Sequence, residues 1–416
     1  MSDPRTFAIV GAGLAGAKAA EALRAEGFDG RIVLFGAEPH RPYERPPLSK
    51  AYLQGNTGRD TVFVHPPEWY TDHEVDLRVN TTVAALDRPA HQLVTSDGNR
   101  WRYDTLLLTT GATPRRLPVP GDDLGGVHYL RSLDDSDRLR STLRPGARVV
   151  IIGAGWIGLE TAAAARTAGA EVTVLEHAEL PLLGVLGPQL ARVFADLHIE
   201  HGVELRCGVS VAAIRPATGD PTTAASVLLA DGTELAADLV VVGVGVTPNV
   251  ELAQSCGLNV DNGILTDSHL RTSDDDIHAA GDVANAYHPL LGRQLRVEHW
   301  ANALHQPAVA AKTMLGETAT YDRLPYFFTD QYDLGMEYTG HSDPTGHDQI
   351  VIRGDTDART FIAFWLRDRR LVAAMNVNVW DVTEPIQQLI RSGDPVDPAI
   401  LADPDVPLVG LVTRLC

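Results

Sequence analysis

The sequence predicts an α/β protein made of two copies of one strand–glycine turn–helix–strand unit, completed by a C-terminal α+β domain. Three observations carry that prediction. Segment Phe7–Glu38 runs from an apolar stretch (Phe7–Val10) through Gly11, Gly13 and Gly16 into an alanine-rich helical segment and a second apolar stretch, Ile32–Phe35. Segment Ala147–Glu179 repeats that order with Gly153, Gly155 and Gly158. From about Tyr321 the texture changes, with clustered aromatic residues and the apolar–polar alternation of strands.

The first glycine pattern has a chemical reading. Gly11 serves a tight turn, Gly13 lets a diphosphate approach the backbone, and Gly16 lets helix and strand pack closely. The diphosphate would then sit on the free N–H groups and positive end of the helix. A lone GxGxxG is weak; strands on both sides, twice in one chain, predict two dinucleotide sites. In the second copy Glu176 closes the second strand, where a carboxylate accepts hydrogen bonds from a ribose 2′-hydroxyl. It would repel a 2′-phosphate, and His177 rather than an arginine follows it, which favours NADH over NADPH. The bland alternative for Glu176 is a solvated acid at a strand end.

Composition bounds the remaining possibilities. With 416 residues, 44% of them hydrophobic, the chain has material for two or three domains. No apolar run is long enough to span a bilayer, and residues 1–6 lack a signal-peptide pattern, so a cytoplasmic protein is expected. Three scattered cysteines (Cys207, Cys256, Cys416) predict neither a disulfide framework nor a metal site. The formal charge of -19 argues against nucleic acid or an anionic membrane as partner.

Between and after the two units, Arg41–Lys50 is proline-rich and reads as extended. Trp101–Pro114 reads as a strand whose small-residue end faces the first glycine turn, and Pro114–Gly121 as a crossover. Ala237–Pro248 is a buried strand ending in glycine, and Asp276–Ala284 a short strand with a Gly-Asp pair before a helix. Val351–Val379 reads as antiparallel sheet, and the remainder as coil with short helices. The resulting division is 1–112 with 245–320, then 113–244, then 321–416.

In their order along the chain, GAGLAG, RPPLSKAYL, LTTGATPR, LRSLDD, GAGWIGLE, GVGVTPN, LRTSDDDIHAAGDVA, VEHWANAL and FFTDQYDLGMEYTG resemble the FAD-dependent pyridine nucleotide reductases. Within them the chain is most similar to the oxygenase-coupled ferredoxin reductases of the putidaredoxin reductase type. The resemblance implies two Rossmann-like domains of the glutathione-reductase type, with FAD in the first, NADH in the second and an α+β domain at the flavin edge. It also implies hydride transfer from NADH to FAD, then single electrons to a [2Fe–2S] ferredoxin serving a cytochrome P450 or a Rieske oxygenase.

The roles implied by resemblance match the reading of the residues. Gly11, Gly13, Leu14, Ala15 and Gly16 would line the FAD diphosphate, with Glu38 or the backbone of Ala37 near the adenosine ribose. Arg45 and Lys50 belong to the segment that would reach the flavin, where a cation stabilises the anionic reduced ring. Thr110, Gly111 and Ala112 would pack on FAD, and Arg131 would pair with its oxygens, though a surface ion pair is the plain alternative. Gly281 and Asp282 would meet the ribityl chain, with the following helix aimed at the ring; Asp282 could equally be a helix cap. Val83, Val297, Glu298, His299 and Trp300 complete the flavin side. On the nucleotide side stand Gly153, Gly155, Ile157, Gly158, Glu160, Glu176, Val244 and Gly245. Glu160, placed in the first helical turn, would touch the nicotinamide carboxamide and Lys50, making these two the catalytic pair.

Hydride transfer needs positioning more than acid–base chemistry, so no general base is assigned. Thiol-based relatives need cysteine in or near Arg41–Lys50, and none is present. An NADH oxidase, a rubredoxin or monodehydroascorbate reductase, and a flavin-binding protein like apoptosis-inducing factor are the alternatives. Since ferredoxins are usually acidic, docking needs a basic patch, expected from Arg293, Arg296 and arginines of the C-terminal domain.

Overall fold

The computed structural model describes residues 5–343 and 345–413, so Cys416 lies outside the described residues. The chain divides into two compact units. One joins residues 1–45, 59–113 and 246–323; the other joins 46–58, 114–245 and 324–416.

The first unit is built on a five-stranded sheet in the order Ile277–Ala279, Thr105–Leu108, Thr6–Val10, Arg31–Phe35, Val75–Arg78. All its pairings are parallel. Parallel strands covered on both faces read as unbroken apolar runs, and these do. Phe7 and Ile9 enter one core with Ile32, Leu34 and Leu107, while Ala8 and Val10 enter the other with Val33, Phe35 and Leu106. Helix Leu14–Ala25 buries Ala17, Ala19 and Ala20, small residues that permit close packing against its neighbours. Strands Val83–Asp87, Gln92–Thr95 and Arg100–Arg102 form a separate antiparallel sheet.

The second unit repeats the design. Its parallel sheet runs Glu204–Arg206, Glu171–Leu175, Arg148–Ile152, Leu239–Val242, Val127–His128. A second, antiparallel sheet follows in the order Tyr326–Gln331, Leu334–Gly340, Arg370–Val377, Thr360–Arg367, Gln349–Asp355. One face of that sheet (Met336, Tyr338, Phe361, Trp365, Met375) shares a core with Val149, Ile151 and Phe194 of the nucleotide-type fold. The opposite face (Ile362, Phe364, Leu366) is covered by Ile386, Leu389 and Ile390. Those three lie on one stripe of helix Thr383–Ser392, which ends at Gly393 with φ 63° in the left-handed region.

The mixed α/β architecture, with two Rossmann-like parallel sheets and a C-terminal α+β region, is the one the sequence predicts. Two local expectations are corrected. Arg41–Lys50 is not wholly extended, because Pro46–Ser49 forms a 3₁₀ turn compatible with the fixed proline φ. No helix follows Asp282: Gly281–Val283 is a single 3₁₀ turn, and Ala284–His288 continues as a strand paired with Ile264–Thr266. That pairing supplies backbone partners that a helix would have supplied internally. Among the described residues, no helix is long and apolar enough to cross a membrane, and no cluster of His, Cys, Asp or Glu could hold a metal ion.

Candidate cofactor sites

Each glycine of the first turn is there for a different reason. Gly11 has φ +119°, and a Cβ there would stand 2.1 Å from the Thr109 carbonyl oxygen. At Gly16 a Cβ would stand 2.1 Å from the Gly11 carbonyl oxygen, so helix and turn touch. Around Gly13 there is open space within 4 Å, and no side chain caps the helix that starts at Leu14 and Ala15. An open cradle at an uncapped helix start fits a diphosphate.

The rest of this unit's expected site gathers in two groups. Glu38 accepts from Arg45 (3.0 Å) and from the Tyr43 hydroxyl. Burial disfavours charge on Arg45, and Tyr43, Glu38 and Asp282 more than reverse this, so its pKa lies above the ordinary guanidinium value. Glu38 is therefore already engaged, while Ala37 is exposed beside it. Thr110 and Asn249 exchange hydrogen bonds, each 2.8 Å, fixing the strand end at Gly111 and buried Ala112. Gly281 sits at φ +79° with its N–H on Gln306 (2.7 Å) and Ala15 close by.

Arg296 donates to the Asp282 carbonyl (3.2 Å) and pairs with Glu298 at 2.7 Å, leaving its side chain only 7% exposed. It is committed internally, which removes it from the docking patch expected from sequence. Val297 and His299 are half-buried, and Trp300 opens helix Trp300–Met314. Val83 starts the separate antiparallel sheet and is also half-buried.

The second turn has the same geometry. Gly153 has φ +100° with the Gly243 carbonyl 2.4 Å from where a Cβ would be, and Gly158 abuts the Gly153 carbonyl at 2.1 Å. Gly155 again faces open space, and Ile157 is exposed. Val244 borders Gly153, while Gly245, at φ +97°, receives the Arg115 N–H (2.9 Å). The Glu176 carboxylate is held from both ends: Oε2 accepts from Ala154 N (2.7 Å) and Oε1 from Ala178 N (2.9 Å). Each oxygen keeps a lone pair for a further donor. Burial, then Glu176, pushes the nearby Cys207 thiol above its ordinary pKa, so that thiol is not activated.

Glu160 falls in the second turn of helix Trp156–Thr167, not the first, so the helix end does not account for it. It is buried, with three donors on its carboxylate: Lys50 Nζ (2.7 Å) and Thr329 Oγ1 (2.6 Å) on Oε1, and Ser49 Oγ (2.5 Å) on Oε2. The Lys50 ammonium also lies 5.5 Å from the centre of the Phe328 ring. Arg131 is half-buried immediately before Ser132, which caps helix Leu133–Thr142 in a capping box with Asp135. The Thr109 carbonyl at Gly11 is the strand end expected to face the first turn, whereas Asn249, Gln306, Ser49 and Thr329 carry no signal in the sequence. Each acts across a long separation that no local pattern marks.

The pyridine nucleotide-disulphide oxidoreductase family model matches residues 5–306, and the reductase C-terminal model matches residues 326–412. The anthranilate 1,2-dioxygenase system ferredoxin–NAD(+) reductase component of Burkholderia cepacia is 42% identical over 409 residues, covering 98% of both chains. Rhodocoxin reductase of Rhodococcus erythropolis is 39% identical, covering 98% of this chain and 95% of its own. The crystal structure of a covalent putidaredoxin reductase–putidaredoxin complex superposes with a TM-score of 0.96 at 38% identity, covering 100% of this chain and 99% of that one.

Proposed function

The chain belongs to the pyridine nucleotide-disulphide oxidoreductase family, and on that premise we propose that it is an FAD-containing ferredoxin–NAD(+) reductase serving an oxygenase. When bound, FAD would supply two-electron acceptance of a hydride from NADH and one-electron release, which is what a [2Fe–2S] carrier requires. Everything else is positioning by this chain.

In this reading residues 1–112 and 245–320 hold FAD, 113–244 hold NADH, and 321–416 complete the flavin side. Gly11, Gly13 and Gly16 leave the cradle for the FAD diphosphate, and Gly153, Gly155 and Gly158 the cradle for NADH. Glu176, pre-oriented by two backbone N–H groups, accepts from the ribose hydroxyls and repels a 2′-phosphate. Arg45, Arg131, Asp282 and Trp300, with the backbone of Thr110–Ala112 and Val297–His299, line the flavin side, to which Val83 and Gly281 also contribute. Lys50 would bring a positive charge to the flavin side, and Glu160 holds Lys50 in place. Ile157, Val244 and Gly245 wall the nicotinamide side.

The observation that carries this reading is the pair of matching open glycine turns, only one of them followed directly by an acid, in a chain without cysteine at Arg41–Lys50. The relatives named above are a rhodocoxin reductase and the ferredoxin–NAD(+) reductase component of an anthranilate 1,2-dioxygenase system, which supports this reading. The electron acceptor is accordingly a [2Fe–2S] ferredoxin feeding a cytochrome P450 or Rieske oxygenase in the cytoplasm.

The test is anaerobic. The purified protein should be yellow, should bleach with NADH far faster than with NADPH, and should then reduce an added [2Fe–2S] ferredoxin. A colourless polypeptide that cannot be reconstituted with FAD, or one that stays oxidised under excess NADH, contradicts the proposal.

A further inference from the structure

Behind the Lys50–Glu160 pair runs a line of polar side chains that the reading above does not use. Thr329 donates to Oε1 of Glu160 at 2.6 Å, the oxygen that also holds Lys50. Nε2 of Gln331 lies 3.2 Å from Thr329 Oγ1, and Oε1 of Gln331 lies 2.9 Å from His198 Nε2. The Tyr332 hydroxyl stands 3.5 Å from His198 Nδ1. Thr329, Gln331 and His198 are at most 1% exposed.

The order of protons along this line is fixed by valence. Thr329 has one hydroxyl proton, spent on the carboxylate, so its oxygen must accept from the Gln331 amide. The Gln331 carbonyl then accepts, so His198 carries its proton on Nε2 and presents the Nδ1 lone pair to Tyr332. Burial keeps that imidazole neutral, with its pKa pushed down to about 4, as a single-proton ring in this order requires. Every donor points the same way, and the line ends on one carboxylate.

Three elements build it. Thr329 and Gln331 are two apart on strand Tyr326–Gln331 and so share a face. His198 comes from helix Leu183–Glu200, and Glu160 from helix Trp156–Thr167. Apolar side chains would fill the same volume without the cost of burying polar groups. A polar line kept here, and terminating where it does, has an orienting use.

Resting on the reading that Glu160 and Lys50 serve hydride transfer from NADH, we propose that Thr329, Gln331 and His198 are positioning residues that fix the orientation of the Glu160 carboxylate. Without the Thr329 donor, Oε1 is held only by the lysine it is meant to hold, and Ser49 on Oε2 is left as the one fixed donor, about which the carboxylate can follow the flexible lysine chain. Hydrogen bonds in series polarise one another, so Gln331 and His198 strengthen the Thr329 bond without touching Glu160.

The test uses the FAD-loaded protein. Thr329→Val keeps the shape and removes the hydroxyl; it should lower the limiting rate of flavin reduction by NADH about tenfold, the effect of one hydrogen bond to a charged group. Half-saturation by NADH should stay within about twofold, because the ribose and diphosphate contacts are intact. Thr329→Ser should restore the rate, and Gln331→Leu should lower it by less than Thr329→Val. Independently of turnover, ¹⁵N NMR of histidine-labelled protein should show His198 as the neutral Nε2–H tautomer, with its signals displaced in Gln331→Leu.

A folded, yellow Thr329→Val protein reduced at the normal rate, or Thr329→Ser as slow as Thr329→Val, overturns the proposal. So does an Nδ1–H tautomer at His198, a result obtained on the unmodified protein even if a variant fails to fold. Glu160→Gln separates this from the parent reading. If Glu160→Gln reduces normally, the role of the ion pair itself is wrong; if it is slow while Thr329→Val is normal, only the positioning line is wrong.

Discussion

The two glycine turns of this chain have one backbone and two endings. Gly11 N–H bonds the Phe35 carbonyl at 2.9 Å, and Gly153 N–H bonds the Leu175 carbonyl at 2.8 Å, which puts the two units in one register. The next residue differs: Gly36 in the first unit, Glu176 in the second. A Cβ at Gly36 would stand 2.6 Å from the Cβ of Ala12, so no side chain fits there. At the equivalent place, Glu176 reaches Ala154, the counterpart of Ala12, and bonds its N–H. The first unit's acid is displaced two residues onward to Glu38 and tied to Arg45 and Tyr43. In the proposed reading the shared turn serves the common diphosphate, and the single residue after the second strand distinguishes what else is bound.

The most damaging way to break the comparison is at the positions both turns need. Gly11→Ala and Gly153→Ala each put a Cβ against a carbonyl oxygen in a left-handed backbone. Strain alone costs about 1–3 kcal/mol. Thermal melts should fall for both, Gly11→Ala losing flavin as well.

A smaller change sharpens it. Glu176→Gln keeps the shape and removes the charge that repels a 2′-phosphate, so the preference for NADH over NADPH should fall about tenfold, roughly 1.4 kcal/mol. The ratio of kcat/KM for the two nucleotides measures it, with FAD content unchanged.

The smallest effect concerns one buried histidine in each unit. His198 bonds Gln331, whereas neither ring nitrogen of His278 has a hydrogen-bond partner among the described residues. Burial lowers both pKa values to about 4. Unfolded histidine takes its proton near pH 6.5, so between about 6.5 and 4 the unfolded state binds more protons and stability falls as pH falls. Each site contributes at most about 1.4 kcal/mol per pH unit. His278→Leu should flatten that dependence without lowering the melting temperature at neutral pH, because it removes an unpaired buried polar ring.

What the sequence revealed and what it hid have physical causes. Glycine turns are legible because a left-handed φ or a close approach excludes other residues locally. Glu176 is legible from its place at a strand end. The partners of Glu160 are not: Ser49 lies 111 residues away and Thr329 lies 169. Thr110 meets Asn249 across 139 residues. A Gly-Asp pair reads as a helix start, yet parallel pairing with Ile264–Thr266 draws Ala284–His288 into a strand. Arg296 reads as a surface cation until the fold turns it onto Glu298 and the Asp282 carbonyl.

The measurement that bears most directly on the division of labour between the turns compares Gly13→Ala with Gly155→Ala. Both glycines face open space, so neither substitution disturbs packing, and each obstructs only what approaches the turn. Flavin content and NADH affinity are measured on each purified variant. Gly13→Ala should be folded and largely colourless, and Gly155→Ala yellow with NADH affinity lowered at least about tenfold. If Gly13→Ala keeps its flavin, or if Gly155→Ala loses it, the two turns do not hold the two cofactors in the order argued.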